Sequence, residues 1–331
     1  MGARMKIIQP IDITPTTMAA GDFLVKPTGE ELIVQVDEQF QVYPLLTNVP
    51  EDDAPPWSPT GTHEEGEDVM HNHHVYRATT DIAAGVEPGA ETVTPESPAK
   101  WQDRGVTNRW RMFDEKIGTV TTNPESIEFS ITPGSGIDSV AFFGVDASAV
   151  SITVYDAATG VVASRQTAPV LTDGVDDWYA YFFSPIELLE DFIMSGLPAS
   201  AYYALDIKLL KPGGIAKVGA IVLGKTVRIG CARYGTSVGI VSFSRKDRDE
   251  FGNFIIVPRR SSKRADFDVS LDTPNVSQVH RLLTKYESKP VVWIGSENIE
   301  ATILYGFYKD FSIIISGPKV SDCSIIVEGL T

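Results

Sequence analysis

Short runs in which apolar and polar residues alternate one by one, each closed by Gly, Pro or Asp, constrain this chain more than any other feature of its sequence. They crowd residues 107–224 as SIEFSI, SVAFFGV, VSITVYDA, VVASRQT, DWYAYFFS, YYALDIKLL and KVGAIVLG. Side chains alternate across a strand with a period of two, so a run of this kind has one apolar face to bury and one face for water. In VSITVYDA the split places Val150, Ile152 and Val154 on one side and Ser151, Thr153 and Tyr155 on the other. Many such strands at short intervals predict a β-sandwich or jelly roll. One helix is expected among them, over PIELLEDFIMSG and stopped by Gly196.

A chain of 331 residues exceeds one ordinary core, so several units are expected. Four are predicted. Residues 1–69 read as an N-terminal arm with β-type runs (FLVKP, ELIVQVDEQFQVYPLL) followed by an acidic, proline-rich exposed loop. Residues 70–106 form a very small module, 107–224 the sandwich, and 225–331 an α+β domain on an antiparallel sheet. In the last unit, TPNVSQVHRLLTKYES spaces Val276, Val279, Leu283 and Tyr286 as a helical stripe, with Thr273 as cap and Pro274 in the first turn. GIVSFSRKDRDEFGNFIIVPRR predicts a long hairpin whose two arms carry opposed basic residues. The fold class is thus mainly β and multi-domain.

Charge separates the ends. Up to Gly105 there are 18 acidic and 6 basic residues, whereas Lys225–Pro290 holds 7 acidic and 13 basic. The formal charge of -16 disfavours binding of nucleic acid or anionic lipid by the surface as a whole. No window has the apolar length of a membrane span and the start lacks a secretory pattern, so membrane insertion and secretion are not expected. Cys231 and Cys323 are the two cysteines, too few for a disulfide framework; whether they pair is open at this level.

No nucleophile elbow, zinc-protease helix or phosphate loop occurs, so no enzymatic activity and no cofactor are expected. Four histidines fall within residues 63–74, and His71 and His73, two apart on a strand, would share a face as metal ligands; the competing reading is an exposed polar loop. Tyr76, Trp101, Trp110 and Trp178 are candidates for a glycan-stacking face, against the alternative that the tryptophans anchor a core between modules. Arg245, Lys246, Arg248, Arg259 and Arg260, with Phe251 at the tip, are candidates for a subunit interface. Too few stacking aromatics lie among these charges for nucleic acid, and the acidic surface of another subunit suits them better.

Three stretches carry a resemblance to minor tail proteins of tailed phages. VYRATTDIAAGVEPGAETVTPESPAKWQDRGVTN resembles small carbohydrate-binding modules of the chitinase type at Tyr76, Pro88, Trp101 and Gly105, although it lacks their trio of exposed aromatics. TNRWRMFDEKIGT and the β stretch ending in KVGAIVLG are similar to the galactose-binding-like sandwiches of such proteins. SFSRKDRDEFGNFIIVPRRSSKR, KPVVWIG, YGFYKDF and SIIVEGL resemble the C-terminal domain of tail-tip or distal-tail proteins. The resemblance covers about residues 70–331. It implies a virion structural protein of the tail tip or baseplate, assembled in the host cytoplasm, that oligomerises with itself and with other tail proteins. The alternative it carries is a glycan-binding adhesin that touches a saccharide of the host surface.

Overall fold

A computed structural model describes residues 4–11, 47–90, 99–170, 189–248, 250–251 and 254–331. The β runs of the N-terminal arm and Trp178 lie outside the described residues, as does the first part of the helix expected from Pro185.

The chain is mainly β, as its alternation predicts. A four-stranded antiparallel sheet has the order β5 (Thr121–Ile131), β10 (Tyr203–Val218), β7 (Ala149–Asp156) and β8 (Val162–Pro169). It packs face to face on β6 (Ser139–Phe143), β9 (Phe192–Ser195) and the first half of β11 (Ala220–Ala232). Val150, Ile152 and Val154 point into this sandwich, where they meet Phe129, Ile207 and Phe142. Phe192–Ser195 is a strand and not the end of a helix, which corrects the sequence reading. Its two-residue alternation, with Met194 buried opposite Val140, wins over the weak helical spacing.

β11 does not stop at the sandwich. Its second half joins β1 (Arg4–Pro10) on one edge and β15 (Ser261–Asp272) on the other, pairing Cys231 with Ser270. From β15 the sheet continues through β18 (Val320–Gly329), β17 (Ile303–Ile314) and β16 (Val291–Ile294) back to β1, so six antiparallel strands close into a barrel. The boundary expected at 224/225 therefore falls inside one strand, and Arg4–Pro10 is a barrel strand rather than part of an arm. Both faces of this shared sheet are covered. Val140 and Phe142 of β6 enter the sandwich core, while Ala141 and Phe143 join Ile8, Val292, Ile294 and Tyr305 on the other side.

The barrel encloses Met5, Ile7, Phe267, Val269, Trp293, Leu304 and Ile325, together with one side of α1 (Val276–Lys285). Val279, Leu283 and Tyr286 of the predicted stripe are buried there. Thr273 does not cap the helix; its hydroxyl donates to the carbonyl of Gly317 at 2.8 Å and meets the hydroxyl of Ser321, tying the start of the helical segment to the neighbouring strands. Cys231 and Cys323 are both free. They sit on different edges of β15, paired with Ser270 and Val269, so a strand separates them.

The small module is a three-stranded sheet, β2 (Asp68–His71), β3 (His74–Ala78) and β4 (Trp101–Val106), around Val69, Ala78, Ile82 and Trp101. The acidic proline-rich stretch is no free linker. Pro56 bridges Met70, His63 bridges Ile82, and Trp57 packs against the module core.

Candidate functional site

Among the described residues the far part of the basic hairpin pairs with no other strand of the fold. β12 (Ser237–Ser242) runs along β15, and beyond their paired ends the chain continues as β13 (Arg245–Arg248) and β14 (Phe254–Val257), which pair only with each other among the described residues. Ser244 staples the base: its hydroxyl donates to the Arg259 carbonyl and accepts from the Arg259 amide at 3.0 Å. The register sets Arg245 against Val257, Lys246 against Ile256 and Arg248 against Phe254, so the basic residues of one arm face apolar residues of the other and not each other. The Arg248 guanidinium lies 4.5 Å from the centre of the Phe254 ring.

Phe254, Ile255, Ile256 and Val257 are all exposed, Phe254 by 63% and Ile256 by 60%. A strand with one wet face would expose alternate residues; this one exposes both faces. Phe251 at the tip is 89% exposed. A free two-stranded ribbon is marginal in water, and its open edges and apolar faces invite another chain. Lys246 and Arg259 form no ion pair among the described residues. Arg260 departs from the interface expectation. Its guanidinium donates to the carbonyl of Gly118 at 2.9 Å, and it lies so close over that residue that any β-carbon there would overlap it. Arg260 therefore fastens the hairpin base to the body of the protein.

The glycan-stacking candidates are mostly core. Trp101 and Trp110 are 5% and 4% exposed, and the Trp101 indole donates to the carbonyl of Val86. Neither presents a ring face to solvent, which corrects their assignment to a sugar platform; a Trp beside a turn-rich segment supplies the large apolar area that a very small sheet lacks. Tyr76 is half-buried and stacks on His74. The histidines are also dispersed. Asn72 and His73, with φ of 48° and 64°, form the two-residue turn between β2 and β3, so His71 and His73 do not share a strand face. His71 lies 2.9 Å from Glu87 and against Trp57, whereas His73 lies 2.9 Å from Glu51 and against Trp110. Among the described residues no group of three metal-ligating side chains comes together.

Sequence reasoning passed over a cleft of about 400 Å³ at the foot of the hairpin. Ile117, Phe143, Ile240, Ile303 and Tyr305 form its apolar wall, and Glu190, Asp191, Arg260, Ser262 and Lys263 supply polar atoms. Asp191, 8% exposed, accepts from the Gly144 amide and from Lys263 at 2.6 Å; Lys263 also reaches Glu300 at 3.3 Å. Burial would lower the pKa of Lys263, but the two carboxylates outweigh it and hold the pKa above its usual 10.5. This triad joins sandwich to barrel. The hydroxyl of Ser262, on a residue 2% exposed, has no hydrogen-bond partner among the described residues.

The fold defines the class: this is a multi-domain β protein in which a β-sandwich and a closed barrel share one sheet. No protein-family model and no curated protein matches the chain. Among solved structures, a mutant lectin-binding domain of lectinolysin in complex with Lewis b is 11% identical, over 35% of this chain and 82% of that one, with a TM-score of 0.25. A mutant of chitosan-binding module 1 from a chitosanase/glucanase of Paenibacillus sp. IK-5 is 14% identical, over 35% and 83%, with a TM-score of 0.24. At these values neither likeness bears on what this chain binds.

Proposed function

We propose that the chain is a structural subunit of a larger assembly, a tail-tip or minor tail component of the tailed-phage kind its sequence resembles, and that the β13–β14 hairpin is its principal contact. The observation that carries this is the exposure of four consecutive apolar residues, Phe254–Val257, on a ribbon that pairs only with itself among the described residues. Burying a Phe, Ile or Val side chain is worth about 1.5–3 kcal/mol, so leaving four in water costs stability that only a partner restores. The body behind the hairpin suits a building block: a continuous sheet fuses sandwich and barrel, and the Asp191–Lys263–Glu300 triad and Arg260 lock the hairpin base to both. In a symmetric assembly each such contact is repeated, and many weak contacts sum to a stable whole.

The glycan-binding alternative loses Trp101 and Trp110 as stacking residues, and the adhesin role would need a different face. Labelling particles with an antibody against the chain, followed by electron microscopy, tests the assembly reading. One end of the tail should carry the label. Intact particles that contain none of this chain by mass spectrometry overturn it, and retained adsorption to host cells by particles lacking the chain argues against the adhesin.

A further inference from the structure

We infer that the cleft beside Ser262 receives the aromatic tip of the hairpin from a second copy of this chain, in a head-to-tail contact; this rests on the assembly reading above and names the partner of the hairpin. The two surfaces match in chemistry. The tip offers Phe254 and Ile256 flanked by Lys246, Arg248 and Arg259. The cleft offers Phe143, Ile240, Ile303 and Tyr305 in a volume ample for a phenyl ring, with Glu190 at its side; of its two basic residues, Lys263 is paired with Asp191 and Glu300, and Arg260 is held by the Gly118 carbonyl.

A hairpin cannot fill the cleft of its own chain. Ile240, Arg260 and Ser261 at its base form part of that cleft, while the four residues of β14 carry the tip about 13 Å further on at roughly 3.3 Å per residue. The donor must be another molecule. Hairpin-to-hairpin pairing is disfavoured because it would bring Lys246, Arg248 and Arg259 against their own copies. A second copy is the occupant that supplies both halves, and its formal charge of -16 favours approach of a basic arm. Contacts between two different surfaces of one chain generate rings or filaments rather than closed dimers.

The test uses full-length protein with Cys231→Ser, so that Cys323, buried in the barrel, is the one remaining native thiol. One batch carries Glu250→Cys beside the tip and another Thr331→Cys at the rim of the cleft, both at exposed positions that leave Phe254 and the apolar wall intact; each is treated alone and in mixture with a bis-maleimide linker. A cross-linked dimer enriched at least tenfold in the mixture over either batch alone is the expected result. Dimers formed by Glu250→Cys alone would show hairpins meeting each other and overturn the inference. So would a wild-type chain that associates in sedimentation while the mixture stays uncross-linked, a result that leaves the assembly reading standing. A chain monomeric at all concentrations yet present in particles overturns the second copy as partner and keeps the structural role; absence from particles removes both.

Discussion

Nδ1 of His73, in the turn of the small module, lies 2.9 Å from Oε1 of Glu51, and the same carboxylate oxygen accepts from the Thr107 hydroxyl of the sandwich at 2.7 Å. Arg109 approaches the second oxygen at 3.3 Å, and Asp53 beside it accepts from the Asn108 amide and from Arg111. The module is thus held to the sandwich by two carboxylates that each bridge several donors. The ring of His73 against Trp110 completes the joint.

The pH dependence of this joint follows from Glu51. Burial alone would raise its pKa, but hydrogen bonds from His73 and Thr107 and the charges of His73 and Arg109 outweigh burial and hold it below the usual 4.5. A carboxyl with a depressed folded pKa contributes stability above its unfolded value, and that contribution is lost as pH falls through the folded value. Wild-type protein should therefore lose thermal stability as pH drops below 4.5. Glu51→Gln should be about 1–2 kcal/mol less stable at neutral pH and flatter across the same interval. Parallel curves for the two proteins, read by tryptophan fluorescence, would remove Glu51 from this role.

Trp101 should behave as a core residue of the module. Its indole is buried among Val69, Ala78 and Ile82, so Trp101→Ala removes the largest part of a four-residue core and should cost about 3–5 kcal/mol. A sheet this small has no reserve of that size. Hydrogen exchange should rise throughout 51–106 while the sandwich strands stay protected. Protection unchanged in the module would contradict the packing described.

These residues also show what a sequence exposes and what it conceals. The alternation of VSITVYDA was legible because β7 has one wet face, and the stripe of α1 because one side of it is buried. SVAFF and VVWI gave no phase, since strands covered on both faces are apolar throughout. For that reason the fusion of barrel and sandwich was invisible and a boundary was expected inside β11. Pairing of Arg4–Pro10 with residues more than 200 positions away has no local signature at all. FIIV reads like the same kind of doubly covered strand, yet its residues are exposed; only the structure separates a buried run from a bare one. Trp101 and Trp110 illustrate the converse, aromatic residues read as a surface platform that the fold uses to fill small cores.

Lys263 should matter at alkaline pH. With a folded pKa held above 10.5, its pairing with Asp191 and Glu300 contributes stability that is complete below 10.5 and is lost as pH rises through the folded value. Lys263→Met leaves Asp191 buried and without its cation. The cost should be about 1–3 kcal/mol, below that of a fully buried pair because the lysine side chain is 38% exposed and partly screened. Urea unfolding at pH 8 and pH 11 should show the wild type losing stability between the two and the variant changing less. Equal losses would assign the alkaline sensitivity elsewhere.

Apolar and basic residues of the hairpin should contribute unequally to association. An exposed ion pair is worth about 0.2–1 kcal/mol, and screening shortens its reach from about 10 Å at 0.1 M salt to about 3 Å at 1 M. A buried Phe or Ile is worth about 1.5–3 kcal/mol and is insensitive to salt in this way. Lys246→Gln with Arg259→Gln should therefore weaken self-association by less than about tenfold and remove most of its salt dependence. Phe254→Asp with Ile256→Asp should abolish association at any salt while leaving the unfolding midpoint of the body unchanged, since these side chains touch no core cluster. Sedimentation velocity over a salt series separates the two terms. Association that survives both aspartates but disappears on loss of the charges would make the hairpin an electrostatic arm rather than an apolar one, and the exposed Phe254–Val257 run would then need another explanation.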